Sequence, residues 1–252
     1  MVTRLKEGRE ERQKRLQYAL EVVGSEAIDL EELKKKIAGS KTTWLVADLV
    51  DRLASRYEAP PTPSEFTVMA TDGSHIVVDR HRSMRCYLIN IGSVTLNYGE
   101  TPSAALESFP RLYSDDEDLV VMPTGAKGRK QPIEGTLLGI KRAVEECRQL
   151  AELAAEQPPG SSSLALLDGS LILWGLEAYP EFVTEALLDR GFLNYLEDIR
   201  KLNSDRRLAL ASYISFPRST DVVNVLRVAL CPYEPVDCDH YCPPSTERAC
   251  DV

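Results

Sequence analysis

No stretch of this sequence approaches the roughly 18 to 20 consecutive apolar residues of a membrane-spanning helix, so no membrane association is expected. The first residues, MVTRLKEGREERQKR, lack the apolar centre of a secretory signal and read as helix. An excess of positive charge is missing as well: 30 Lys and Arg stand against 39 Asp and Glu, a net charge of −9. That balance excludes a protein coated in positive charge for non-specific nucleic-acid binding, though not a local basic groove. Six cysteines in 252 residues are too few for a disulfide framework. Internal repeats and low-complexity segments are absent. What is present, 43% hydrophobic and 27% charged residues, is ordinary for a soluble globular protein of the cytoplasm with ample length for a core.

The pattern along the chain changes near a run of prolines. Residues 3–57 read as helical, with Leu16, Ala19, Leu20 and Val23 along one face and charge elsewhere. A second helix is expected over 29–37, and a third over 44–57, where Leu45, Leu49 and Leu53 recur at four-residue steps. The stretch Ala59-Pro60-Pro61-Thr62-Pro63 cannot continue a helix. The expected division is therefore a helical region over 1–58, a linker over 59–65 and a second domain over 66–252.

Beyond the linker, strand patterns take over at 66–71, 76–79 and 85–97, with a further short strand at 119–122. A long helix is expected from 132 to 156, stopped by Pro158-Pro159-Gly160. Then come a buried strand at 164–167, a helix over 180–202 and a strand at 208–214, with 221–230 ambiguous. Strands, helix, strand, helix, strand in that order predict an α/β domain with a mixed sheet.

Two of those strands end in the same tripeptide, in MATDGSH around Asp72 and LALLDGSLI around Asp168. An Asp at the end of a buried strand directs its carboxylate off the sheet edge, where neighbouring strands can aim at one ion. Carboxylates held that close repel unless a cation joins them. Carboxylates with waters and a phosphate are how magnesium or manganese is usually held. Asp-Gly-Ser after a strand is most often only a turn; two copies separated by a long helix favour a metal site.

The pair ATDGSH and LLDGSL, with a helix containing KRAVEECRQL between them and the later strand LALASYISFPRST, resembles the NurA nuclease family from about residue 66 to 231. The resemblance implies an RNase H-like mixed sheet flanked by helices, here with an N-terminal helical extension. It implies a manganese- or magnesium-dependent DNA nuclease, 5′-to-3′ on ends and endonucleolytic on single strands. It further implies DNA end processing in repair, a homodimer, and a HerA-type hexameric ATPase as partner. Carried over by position, Asp72 and Asp168 are catalytic metal carboxylates. The intervening helix supplies a glutamate, Glu145 by preference with Glu146 as the alternative, since adjacent helix positions point about 100° apart. The family pattern continues past Val252 and includes a histidine that none of His75, His81 and His240 matches. The competing expectation is accordingly a non-catalytic scaffold or DNA-binding protein that keeps the nuclease fold, and a third is an enzyme acting on RNA or hybrids.

Candidate phosphate contacts are Arg80, Arg82 and Arg85 on the first hairpin, Lys127, Arg129 and Lys130 before the long helix, and Arg218 by family position. Lys141 and Arg142 follow on that helix. Cys231, Cys238, Cys242 and Cys250 gather near the end with His240. Their intervals of six, three and seven residues differ from the tight pairs of most zinc sites, yet zinc or an iron–sulfur cluster there is a possibility beside a plain cysteine-rich loop.

Overall fold

The computed structural model describes residues 2–25, 27–77, 85–123, 128–242 and 250. In chain order its helices and strands are α1 (Val2–Val23), α2 (Leu30–Ala38), β1 (Phe66–Val77), β2 (Tyr87–Tyr98), β3 (Ser103–Tyr113), β4 (Val120–Val121), β5 (Gln131–Pro132), α3 (Thr136–Glu156), β6 (Ser162–Asp168), α4 (Glu181–Thr184), α5 (Leu193–Leu202), β7 (Arg207–Tyr213), α6 (Asp221–Leu230) and α7 (Cys238–Tyr241). A π-helical stretch, Glu185–Phe192, joins α4 to α5. The chain divides into two compact units: residues 1–60 with 217–252, and residues 61–216. The sequence expectation drew one boundary, at 59–65; the last part of the chain groups with the N-terminal helices. No described helix is long and apolar enough to cross a membrane.

The first unit is held by α2 and α6. Leu33, Val225, Val228, Cys231 and Val236 form its buried cluster, with Trp44, Val46, Leu49 and Leu53 packed against them. Asp29 caps α2 by accepting from the Glu32 N–H at 2.9 Å. The helix expected over 44–57 is not there. Its apolar residues cover the cluster from an irregular segment whose backbone is satisfied elsewhere: Ala47 N–H donates to Asp221 O at 3.1 Å, and Asn224 Nδ2 donates to Leu45 O at 2.7 Å. Of the leucines at four-residue steps, Leu49 and Leu53 pack on the cluster while Leu45 is exposed, so their spacing did not mark a helix.

The second unit is built on a five-stranded sheet in the order β3-β2-β1-β6-β7. β1, β2 and β3 are antiparallel neighbours, while β6 runs parallel to β1 and β7 parallel to β6. That mixed order, with helices between the parallel strands, is the RNase H-like arrangement. β1 is one continuous strand that runs straight through Asp72-Gly73-Ser74, where sequence suggested a break. β3, by contrast, had no counterpart among the expected strands. All of its residues but Tyr113 are exposed, so it shows no buried alternation to read.

Alternation along the central strands fixes which face is covered. Met69, Thr71 and Gly73 of β1, Ile89 and Ile91 of β2, and Ala165 and Leu167 of β6 are buried beneath α3. From α3, Leu137, Ile140, Val144, Cys147, Leu150 and Ala154 complete the core. Arg206 closes the C-terminus of α3, its Nη1 donating to Ala154 O at 3.0 Å and Gln157 O at 2.7 Å.

Candidate active site

Asp72 and Asp168 stand side by side. The last parallel pair between β1 and β6 is Thr71 with Leu167, so each aspartate is the next residue on its strand. Both alternate with residues buried under α3, and both line a cleft of about 710 Å³ that also includes Ser74, Asn90, Tyr213 and Ser215. The neighbours across the strands leave room: Asp72 faces Gly92 of β2, and Asp168 pairs with Tyr213 of β7. The two Asp-Gly-Ser copies reach this arrangement differently. In the first, Gly73 is extended within β1; in the second, Gly169 takes φ 98° and turns the chain off the end of β6. No described residue lining the cleft is Lys or Arg.

The third acid comes from α3, through a gap that Gly73 leaves. A Cβ at that position would stand 2.4 Å from Oε1 of Glu146 and 2.9 Å from Cγ of Arg142. Thr71 Oγ1 donates to Glu146 O at 3.0 Å, and Arg142 Nη1 donates to Gly73 O at 2.8 Å, which pins α3 to β1 at this height. The Glu146 carboxyl is buried, and its pKa is pushed up to about 7. Desolvation is the main cause, and the negative charges of Asp72 and Asp168 add to it; Arg142 and the Gly73 backbone oppose the rise. Arg142 Nε lies 3.2 Å from Oε1, within ion-pair distance. The alignment is not that of a hydrogen bond, and both atoms are buried without a hydrogen-bond partner. Glu146 is thus a desolvated acid with an unsatisfied oxygen, close enough to both aspartates to feel their charge.

Glu145 is turned toward other company. Its Oε1 receives Lys141 Nζ at 2.6 Å and its Oε2 receives Arg148 Nε at 2.8 Å. Burial would raise its pKa, but Lys141 and Arg148 outweigh that and hold it below the usual carboxylate range. It lines a separate pocket with Arg111, Tyr113, Arg148 and Glu152. The geometry therefore does not carry the sequence preference for Glu145 over Glu146: its carboxylate is already neutralised by two cations. The Tyr113 hydroxyl, pushed up to about 12 by burial and then by Glu145, stays protonated beside it.

Asp72, Asp168 and Glu146 are all hard oxygen donors, the type that suits magnesium or manganese. Among the described residues no group of three or more His, Cys, Asp or Glu side chains is arranged to hold an ion as it stands. The unsatisfied Glu146 oxygen and the mutual repulsion of the three acids fit a divalent cation, whose charge would relieve both.

The other expected site residues are dispersed. Arg80, Arg82, His81 and Lys127 lie outside the described residues. Arg129 and Lys130 are exposed just before β5, Arg85 is exposed just before β2, and Arg218 is exposed in the other unit. Lys141 and Arg142, considered for phosphate contact, are engaged with Glu145 and with Gly73 and Glu146. Cleft residues that sequence reasoning did not single out are Asn90, Glu107, Tyr213 and Ser215. Tyr213 had a signal, as the residue level with Asp168 on the next parallel strand; Glu107 had none, since β3 itself went unseen.

A mixed sheet of this order, flanked by helices, is an RNase H-like fold, here with two aspartates level on adjacent parallel strands and a buried glutamate on the helix behind them. The NurA domain matches residues 66–241. The chain belongs to the NurA-domain family. Among solved structures it is similar to the NurA nuclease from Sulfolobus solfataricus, at 12% identity and a TM-score of 0.32, over 69% of this chain and 56% of that one. It is also similar to prototype foamy virus protease–reverse transcriptase, at 12% identity and a TM-score of 0.29, over 61% of this chain and 18% of that one. The chain thus spans less than two thirds of either protein, and likenesses this distant carry no argument about its chemistry. No curated protein matches the chain by sequence.

Proposed function

We propose that the 61–216 unit is the catalytic part of a metal-dependent DNA nuclease, with Asp72, Asp168 and Glu146 as its metal carboxylates. The observation that carries this reading is the charge of the cleft. Asp72, Asp168 and Glu107 line it, Glu146 lies near enough behind to feel the charge of both aspartates, and no described Lys or Arg lines it, so a polyanionic substrate would be repelled unless cations reverse the local sign. Manganese or magnesium, when bound, lowers the pKa of water and offsets charge developing on the scissile phosphate.

The chain's own residues prepare that chemistry. Asp72 and Asp168 are set by the β1–β6 register, so their separation is fixed by the sheet and not by loop conformation. Gly73 lets the Glu146 carboxyl pack close against β1 beside Asp72, with Arg142 at ion-pair distance. With a pKa near 7, Glu146 gives up its proton readily when a cation arrives. The exposed Arg129 and Lys130 are available for phosphate contact, as is Arg218.

The same reading extends, on the family's pattern, to 5′-to-3′ and single-strand cleavage in DNA end processing. It includes manganese as the preferred ion, a homodimer, a HerA-type ATPase partner and action in the cytoplasm. The test is cleavage of labelled single- and double-stranded DNA in manganese by the full chain and by Asp72→Asn and Asp168→Asn. Loss of cleavage in both variants, with unfolding curves like the parent, is expected. Parental cleavage rates in both would refute the site; a parent without cleavage on DNA, RNA or hybrid, with tight DNA binding, would favour a scaffold.

A further inference from the structure

The four cysteines near the end of the chain take no part in the carboxylate cleft, and the structure gathers them. Cys231 follows α6, its N–H bonded to Val228 O at 3.2 Å. Cys238 opens α7 and Cys242 follows it, with Cys242 N–H donating to Cys238 O at 3.1 Å; a four-residue helical step puts both side chains on one face. Cys250 then returns to the same place. All four line a single void of about 10 Å³, and Cys231 and Cys250 are only 8% and 6% exposed. A void of that size holds about one water-sized sphere, which is room for one ion and too little for a cluster of irons and sulfides.

A second observation points the same way. Trp44 and Arg227 also form the wall of this void. Trp44 Nε1 and Arg227 Nε are both buried donors with no hydrogen-bond acceptor. Buried N–H groups are rarely left so, and neutral thiols are weak acceptors. Sulfurs that have lost their protons to a metal are good acceptors, and partners of this kind usually surround ligated residues. Arg227 also carries the positive charge that an ion with four thiolates, net −2, would need nearby.

We propose that Cys231, Cys238, Cys242 and Cys250 form a structural zinc site, with Trp44 Nε1–H and Arg227 Nε–H donating to its sulfurs. Binding replaces four S–H bonds by four Zn–S bonds and releases four protons to solvent. The interval of three residues between Cys238 and Cys242, which α7 occupies, lies within the range of zinc-binding pairs, while the longer intervals, 232–237 and 243–249, stand on either side of it. Four cysteine ligands leave no open position, so the ion acts as a staple and not as a catalyst. What it fastens is visible in the backbone: Lys41 N–H donates to Val236 O at 2.7 Å and Cys238 N–H donates to Lys41 O at 3.1 Å. The zinc would lock that pairing of the 231–250 segment with the start of the chain. No described group of three is already arranged around an ion, so binding draws the sulfurs inward as it occurs.

The test uses the full chain under reducing conditions, loaded with zinc or, for a spectroscopic readout, with cobalt(II). One zinc per chain that survives a chelator wash is expected, together with the thiolate-to-cobalt and visible absorption of a tetrahedral sulfur site. Asp72→Asn should keep that absorption, which separates this site from the carboxylate cleft. Cys242→Ser should lose it, and Trp44→Phe should keep it but release zinc to a chelator about tenfold faster. Because the cobalt spectrum is read on the parent chain, poor folding of a cysteine variant does not blunt the test. Absence of thiolate-to-cobalt absorption would overturn the proposal. So would bound iron with sulfide, or recovery of these cysteines as disulfides from protein purified without reductant.

Discussion

Glu145 and Glu146 are adjacent on α3 and similarly buried, at 7% and 5% exposure, yet their carboxyls are driven in opposite directions. Glu145 meets Lys141 and Arg148 and is held below the ordinary range; Glu146 meets desolvation and two aspartates and rises to about 7. One step along a helix separates a neutralised ion pair from a site where negative charge is concentrated. Burial does not distinguish them, because both sides of α3 at this height are covered. What distinguishes them is how the carboxylate is partnered: Glu145 takes hydrogen bonds from both Lys141 and Arg148, whereas Glu146 has only the poorly aligned Arg142 and faces two aspartates. A structural charge comes with its partner supplied, whereas an acid left under-partnered beside other acids is waiting for one from outside.

The sharpest test of that contrast is activity. Glu146→Gln is expected to lower manganese-dependent cleavage by more than about 100-fold, while Glu145→Gln stays within a few-fold of the parent. Equal losses in the two variants, measured as initial rates on single-stranded DNA, would erase the distinction. Next in size is Gly73→Ala, whose new Cβ falls 2.4 Å from Glu146 Oε1 and 3.0 Å from Ile91 Cδ1. It should cost about 1 to 3 kcal/mol in urea unfolding and also depress activity by displacing Glu146.

The pH dependence of stability should have opposite signs for the two residues. Glu146 keeps its proton in the folded state up to about 7, while the unfolded chain releases it near 4.5. The metal-free protein therefore loses stability from this group as pH rises through that window, by at most about 3 kcal/mol. Glu146→Gln should remove the slope, and added manganese should reverse it, both read from denaturation midpoints. Glu145 has a depressed pKa, so its contribution is present above the unfolded value and is lost as pH falls through the folded one. The smallest effect expected is on stability at neutral pH in Glu145→Gln, about 1 kcal/mol, since the part-exposed Lys141 and Arg148 regain solvent when they lose their anion.

How much of this was readable beforehand differs residue by residue. Asp72 and Asp168 stood out because each follows an apolar strand and repeats one tripeptide, a local signal. The choice between Glu145 and Glu146 was not local. A 100° step along α3 decides nothing until the helix is docked, and Gly73, which admits one of them, lies on a strand far away in sequence. The strand order of β1, β2, α3, β6 and β7 followed from period and punctuation, yet β3 escaped, since a strand exposed on both faces has no alternation. The 44–57 segment misled for the opposite reason: its leucines recur at helical intervals without a helix, Leu49 and Leu53 packing on the cluster while Leu45 is exposed. The proposed zinc ligands were visible as cysteines, but nothing in their intervals revealed the buried Trp44 and Arg227 donors on the same void.

β3 has one more consequence. It ends the sheet, so one side of its backbone offers a row of unanswered donors and acceptors to any other extended chain. Pro110 sits in the middle of that strand and, pairing with Asn90, must turn its nitrogen to the open side, where it interrupts the row. Glu107 and Arg111 flank it with charge. The border of the sheet is in this way made unattractive as a template for edge-to-edge stacking.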